Sequence, residues 1–176
     1  MSGHNKWSKI KRQKEKTDSQ KSKIFGKMIK LITAQARIAG GNIQSPGLKS
    51  AIEKAKAMNV PNDNIERAIK KFAEAGAEME LIVYEAYGPG GCAMIIEALT
   101  DSKNRANQEI KTILAKHGFA MTGPGAASWA FSHNPGEDFI PTSTIPLSDE
   151  DGEKLSGLID ELEESDEVQD VYTNAE

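Results

Sequence analysis

The sequence predicts an α+β protein: an N-terminal three-helix bundle carrying a basic arm, followed by a ferredoxin-like α/β sandwich. Three observations predict it. Apolar residues recur at three- and four-residue steps as far as Gly76, then give way to the alternation and short apolar runs of strands. From Cys92 onward the segments read β-α-β-β-α-β, with one extra strand in front. The charge divides at the same place. Residues 1–76 hold 17 Lys+Arg against 6 Asp+Glu, a net of +11, and residues 77–176 hold 5 against 20, a net of -15. Two domains are therefore expected, 1–76 and 77–176.

Residues 1–17 show no apolar period and read as an extended arm. Asp18 is a plausible N-cap for a first helix whose inward face is Phe25, Met28, Ile29, Ile32 and Ala36, ending near Gly40-Gly41. Lys21, Lys23, Lys27 and Lys30 fall largely off that face. In QSPGLKSAIEKAKAMNV, Ser45 caps, Pro46 takes the first helical position, and Leu48, Ile52 and Ala55 form the apolar edge. A third helix starts near Pro61, points Ile65, Ala68, Ile69 and Phe72 inward, and is expected to stop at Gly76. Three short amphipathic helices bury their stripes against one another.

LIVYEAYGPGGCAMIIEALT then reads as two strands around a Gly-Pro-Gly-Gly turn, the second apolar enough to be central. DSKNRANQEIKTILAKHG is a helix with Ile110, Ile113 and Leu114 inward and Gly118 as its stop. AASWAF alternates like a strand, and STIPL is expected to be a short one, with Pro146 at an edge or end. Ser148 caps an acidic helix bearing Leu155, Leu158, Ile159 and Leu162, and Asp149, Glu150 and Asp151 in its first turn suit the helix dipole. EVQDVYT closes the sequence of strands.

Tests for catalysis find no support. The three histidines, His4, His117 and His133, share no metal-ligand spacing, and the single Cys92 cannot supply a zinc site or an internal disulfide. His117 reads as a dipole partner at a helix end, and Cys92 as a small buried hydrophobe. YGPGG resembles a phosphate loop only superficially, because its glycines lead into a strand rather than into a helix N-terminus. The run LIDELEESDE lacks the glycine and alternating oxygen ligands of a calcium loop. No cofactor, no metal and no small-molecule substrate is expected. No apolar run is long enough to cross a bilayer, and the N-terminus lacks the apolar block of a secretory signal, so no membrane partner and a cytoplasmic location are expected.

The basic half points instead to a polyanion. Residues 1–30 alone hold ten Lys+Arg against Glu15 and Asp18. Lys6, Lys9, Lys11, Arg12, Lys14 and Lys16 are the candidate phosphate contacts, continued by Lys21, Lys23 and Lys27. Six such contacts make affinity fall on the order of a thousandfold between 50 and 200 mM salt. Trp7 either stacks on an unpaired base or plugs the bundle, and His4 adds a hydrogen bond or a stack. Asn104 and Arg105, at the start of a helix, either contact a phosphate or serve a cap and an ion pair with Asp101.

GHNKW at residues 3–7, KSKIFGKMIKLIT, VPNDNIERAIKK, YEAYGPGG, DSKNRA and LIDELEESDEVQDVYTN resemble the YebC/PmpR family. The likeness runs from residue 1 to about 133 and resumes near Ile140, and its start at residue 1 argues against a cleavable leader. It implies a helical domain followed by two α/β domains, the third inserted in the second. Here only SHNPGEDF lies between Phe131 and Ile140, so the third domain is expected to be absent between about 132 and 140. The arm reads KRQKEK where relatives often carry more arginine and histidine, so the carry-over is weakest at Gln13.

The resemblance also implies a regulator of gene expression. Bacterial relatives are labelled DNA-binding transcriptional regulators. The mitochondrial relative activates translation of a cytochrome oxidase subunit, and bacterial relatives look like factors that act on the ribosome when translation stalls. The residues lean toward RNA, because no helix-turn-helix with base-reading side chains is evident and flexible lysines suit backbone tracking. The expected reading is a non-enzymatic regulator acting on ribosomal RNA and the ribosome. The alternatives are a DNA-binding transcriptional regulator and a protein-interaction adaptor using acidic helix 149–164.

Overall fold

A computed structural model describes residues 18–71, 74, 76 and 78–176. These form two compact units: the described part of Lys16–Glu80 together with Asn134–Glu137, and Leu81–His133 together with Asp138–Glu176. The chain is α+β, helices first.

In the helical unit, α1 (Asp18–Ile38), α2 (Pro46–Ala57) and α3 (Asn62–Lys70) pack on one another. Their buried faces are Leu31, Ile32 and Ala36 from α1, Leu48, Ala51 and Ala55 from α2, and Ile65 and Ala68 from α3. Ser45 is the N-cap of α2 and Pro46 its first residue, where the missing N–H costs no hydrogen bond. Thr33 Oγ1 reaches across from α1 to the carbonyl of Ala68 at 3.4 Å. The third helix ends at Lys70 rather than at Gly76. Beyond it the backbone is held by Arg37 of α1, which donates to the carbonyls of Glu74 (3.1 Å) and Gly76 (3.3 Å). Phe72, expected to point inward, lies outside the described residues.

The second unit is a four-stranded sheet in the order β3-β1-β2-β6, with β1 Glu80–Tyr87, β2 Ala93–Thr100, β3 Met121–Thr122 and β6 Val168–Thr173. β2 is buried along its whole length, as a strand covered on both faces must be. Met94, Ile96 and Ala98 meet the inward residues of α4 (Lys103–Lys116) and α5 (Asp149–Glu164), including Ile110, Leu114, Leu155, Leu158 and Leu162. Ala93 and Ile95 face the opposite way, onto Ala127, Ala130, Phe131 and Phe139. β6 pairs antiparallel with β2, with a bulge opposite the step from Glu97 to Ala98.

Two expectations about strands need correction. AASWAF is not a strand of the four-stranded sheet. Ser128–Ala130 forms a 3-10 turn, and only Phe131–Ser132 (β4) is extended, pairing with Ile140–Pro141 (β5) in a separate two-stranded sheet. The backbone N–H groups of Gly125, Ala127 and Ser128 go instead to the carboxylate of Glu85. STIPL contributes one parallel bridge, Ile145 to Ala175. The α+β class holds, and within the sheet the extra front strand β1 lies between β2 and β3.

Candidate nucleic-acid interface

His4, Lys6, Trp7, Lys9, Lys11, Arg12, Lys14 and Lys16 lie outside the described residues. The remaining candidates fall on two helices. On α1, Lys21 and Lys23 are exposed and Lys27 is half-buried, on turns that precede the buried Leu31, Ile32 and Ala36. The apolar stripe turns those three toward the other helices, which keeps Lys21 and Lys23 at the surface. Residues 18–71 hold 11 Lys+Arg against 4 Asp+Glu, so the helical unit is positive without any help from the arm. Exposed Lys49 and Lys56 on α2, Arg67 and Lys70 on α3, and Lys71 beyond it extend that charge. None was among the sequence candidates, although each lies off its helix's apolar stripe, a signal legible in the periodicity.

Asn104 and Arg105 sit in the first turn of α4 in the other unit. Asn104 is exposed. Ser102 caps the helix, its hydroxyl accepting from the Arg105 N–H at 3.4 Å. The Arg105 guanidinium donates through Nε to Glu167 at 2.6 Å and through Nη2 to Asp101 at 2.5 Å. Glu167 first, and then Asp101, raise its pKa further above the ordinary arginine value. The ion pair with Asp101 is therefore present, and an arriving phosphate would compete with two carboxylates for this arginine.

The features tested for catalysis have structural partners. The ring of His117, which caps α4 at its C-terminal end, lies 2.7 Å from Glu161 Oε2, while Lys116 Nζ donates to the other oxygen at 2.7 Å. The pair clasps α4 to α5 and holds the Glu161 carboxyl below its ordinary pKa, Lys116 contributing more than His117. Cys92 is fully buried and burial pushes its thiol up. The glycine turn, Pro89–Gly91, leads into β2 and packs on the start of α5, where a Cβ on Gly90 would meet Leu147 at 2.5 Å and Asp151 at 3.3 Å. That helix start is capped by Ser148 and surrounded by Asp149, Glu150 and Asp151, an unfavourable place for an anion. Among the described residues no three His, Cys, Asp or Glu side chains are grouped to hold a metal, and no helix is long and apolar enough to cross a membrane.

Family models match nearly the full chain: the TACO1/YebC protein N-terminal domain over residues 5–75, and the TACO1/YebC second and third domain over 79–135 and 136–175. The chain belongs to the TACO1/YebC family. Its relatives include a "probable transcriptional regulatory protein" of Thermoanaerobacter pseudethanolicus, 38% identical over 239 aligned positions that cover 100% of this chain and 97% of that protein. A similarly named protein of Borreliella afzelii is 38% identical, covering 100% and 98% respectively. The crystal structure of a conserved hypothetical protein from Aquifex aeolicus superposes with a TM-score of 0.79 at 31% identity, covering 97% of this chain and 96% of that one. The alignment of 239 positions exceeds the 176 residues of this TACO1/YebC chain, so at least 63 positions of the alignment have no counterpart here.

Proposed function

We propose that this TACO1/YebC protein is a non-enzymatic regulator of gene expression that binds nucleic acid through its basic half and acts on the ribosome through ribosomal RNA. One observation carries the reading: a net of +11 over residues 1–76 against -15 over residues 77–176. A polyanion is drawn to the first half and repelled by the second, which orients the complex before any specific contact forms. Lys6, Lys9, Lys11, Arg12, Lys14 and Lys16 meet phosphates, Trp7 packs or stacks at the contact, and Lys21, Lys23 and Lys27 continue the track along α1. Arg105 is the weakest member of the set because of its two carboxylate partners. The unmatched alignment positions support a short form without the family's third domain, the missing segment falling near the 135/136 break between the two matched stretches.

The names of the relatives favour a second reading, a DNA-binding transcriptional regulator. The same cations serve it, but it demands sequence preference on a duplex. Ribosome co-sedimentation at low and high salt, run beside gel shifts on promoter fragments, separates the two. Association with ribosomes that is lost at high salt is the expected result. A protein that ignores ribosomes yet protects one DNA sequence against excess random DNA overturns it. Lys9→Glu combined with Lys11→Glu is expected to cripple binding while leaving the circular dichroism spectrum unaltered.

A further inference from the structure

An α/β sandwich that reads single-stranded RNA stacks bases on aromatic rings of its open sheet face. In this protein the face opposite α4 and α5 is closed, because Ile95, Ala127, Phe131 and Phe139 are buried against one another there. The covering layer carries two flat rings outward. Trp129 is 61% exposed. Its Nε1 donates to the Tyr87 hydroxyl at 2.9 Å and to the carbonyl of Ala126 at 3.0 Å, and the Tyr87 hydroxyl itself donates to Ala126. The turn beneath is fixed by Glu85, which accepts from the amides of Gly125, Ala127 and Ser128. His133, also exposed, lies parallel to Phe139 with ring centroids 3.9 Å apart and 3° between the planes. Both rings are thus oriented before a partner arrives.

Local charge and chemistry choose the partner. Residues 117–136 contain no Asp or Glu, in a half of the chain that holds 20. The carboxylate beneath the turn, Glu85, is buried and its charge is shared among three amides. A tryptophan that anchors a protein interface offers both its apolar area and its N–H. The N–H of Trp129 is already engaged inside the protein, so its exposed surface is aromatic carbon, the surface that stacks on a nucleobase.

We propose that Trp129, with His133 four residues further on, is a stacking platform for the unpaired bases of RNA. The proposal rests on the nucleic-acid reading above. The chain has two tryptophans, so Trp7→Phe makes Trp129 the sole indole. Titration of that variant with a short oligoadenylate is expected to quench its emission to saturation, and a duplex of equal length to quench it far less. Trp129→Leu is expected to weaken oligoadenylate binding about ten- to a hundredfold, whereas Trp129→Phe keeps most of it. Thermal melting shows whether the leucine variant folds, and if it does not, the quenching and the phenylalanine variant decide. Absence of quenching in a Trp7→Phe protein that still binds oligoadenylate, or full affinity in a folded Trp129→Leu, overturns the platform. If Lys9→Glu with Lys11→Glu still weakens binding in that case, the phosphate reading survives. Failure of every form to bind RNA or DNA overturns both. Self-association that Trp129→Leu abolishes, with oligoadenylate affinity unchanged, assigns the ring to a second copy of the chain and also overturns the proposal.

Discussion

Glu85 shows how much of this structure hangs on single side chains. It lies in an otherwise apolar stretch of β1 and is only 9% exposed. Burial alone would raise its pKa, but N–H donors of Gly125 at 2.8 Å, Ala127 at 2.7 Å and Ser128 at 2.8 Å outweigh that and hold it below the usual carboxylate value. A lowered pKa in the folded state makes the carboxylate stabilising above its unfolded pKa. That contribution is lost as pH falls through the folded value. Glu85→Gln removes the charge and one good acceptor, and is expected to cost about 1–3 kcal/mol in urea unfolding near neutral pH. The variant should also lose less stability than the parent between about pH 6 and pH 3. Nothing in the sequence marked this residue, because its partners lie 40 to 43 positions away.

At the scale of elements, the turn between β1 and β2 is set by Gly90 and Gly91 at φ 66° and 76°. Gly90→Ala forces a side chain into the left-handed region and against Leu147, and is expected to cost about 1–2 kcal/mol, read from thermal or denaturant unfolding. This turn was legible because glycine chemistry is local. So were the helices, whose stripes and caps lie within each segment. Ser148, for example, accepts from the Asp151 N–H at 3.1 Å as its position predicts. Elements decided by distant partners were not legible. Alternation in AASWAF suggested a strand, but Glu85 takes the amides that a ladder would need. Ile145 follows a strand-like pattern, yet Pro146 has no N–H and only Ala175 bridges to it. Which strand lies beside β2 depends on register across the sheet, and no local period encodes that.

For the molecule as a whole, the proposed function makes the sign of charge, more than any single contact, the determinant of binding. Salt dependence tests this directly. Binding to single-stranded RNA is expected to fall steeply between 50 and 200 mM salt, and Lys9→Glu with Lys11→Glu to flatten the log–log slope by about 1.4, roughly 0.7 per lost contact. The basic character of the site was plain in the sequence, whereas the pairing of Arg105 with Glu167, 62 residues away, was not. The same long-range pairing marks the sheet. Central strand β2 receives one neighbour from β6, whose first residue follows Thr100 by 68 positions. At about 5–20 residues per second, a ribosome needs about 3–14 s to synthesise that interval. Throughout it the nascent chain carries a largely apolar strand, interrupted only by Glu97 and Thr100, with an open edge, a form prone to pairing with a neighbouring chain. Newly made copies must therefore be shielded or kept dilute until their last strand emerges.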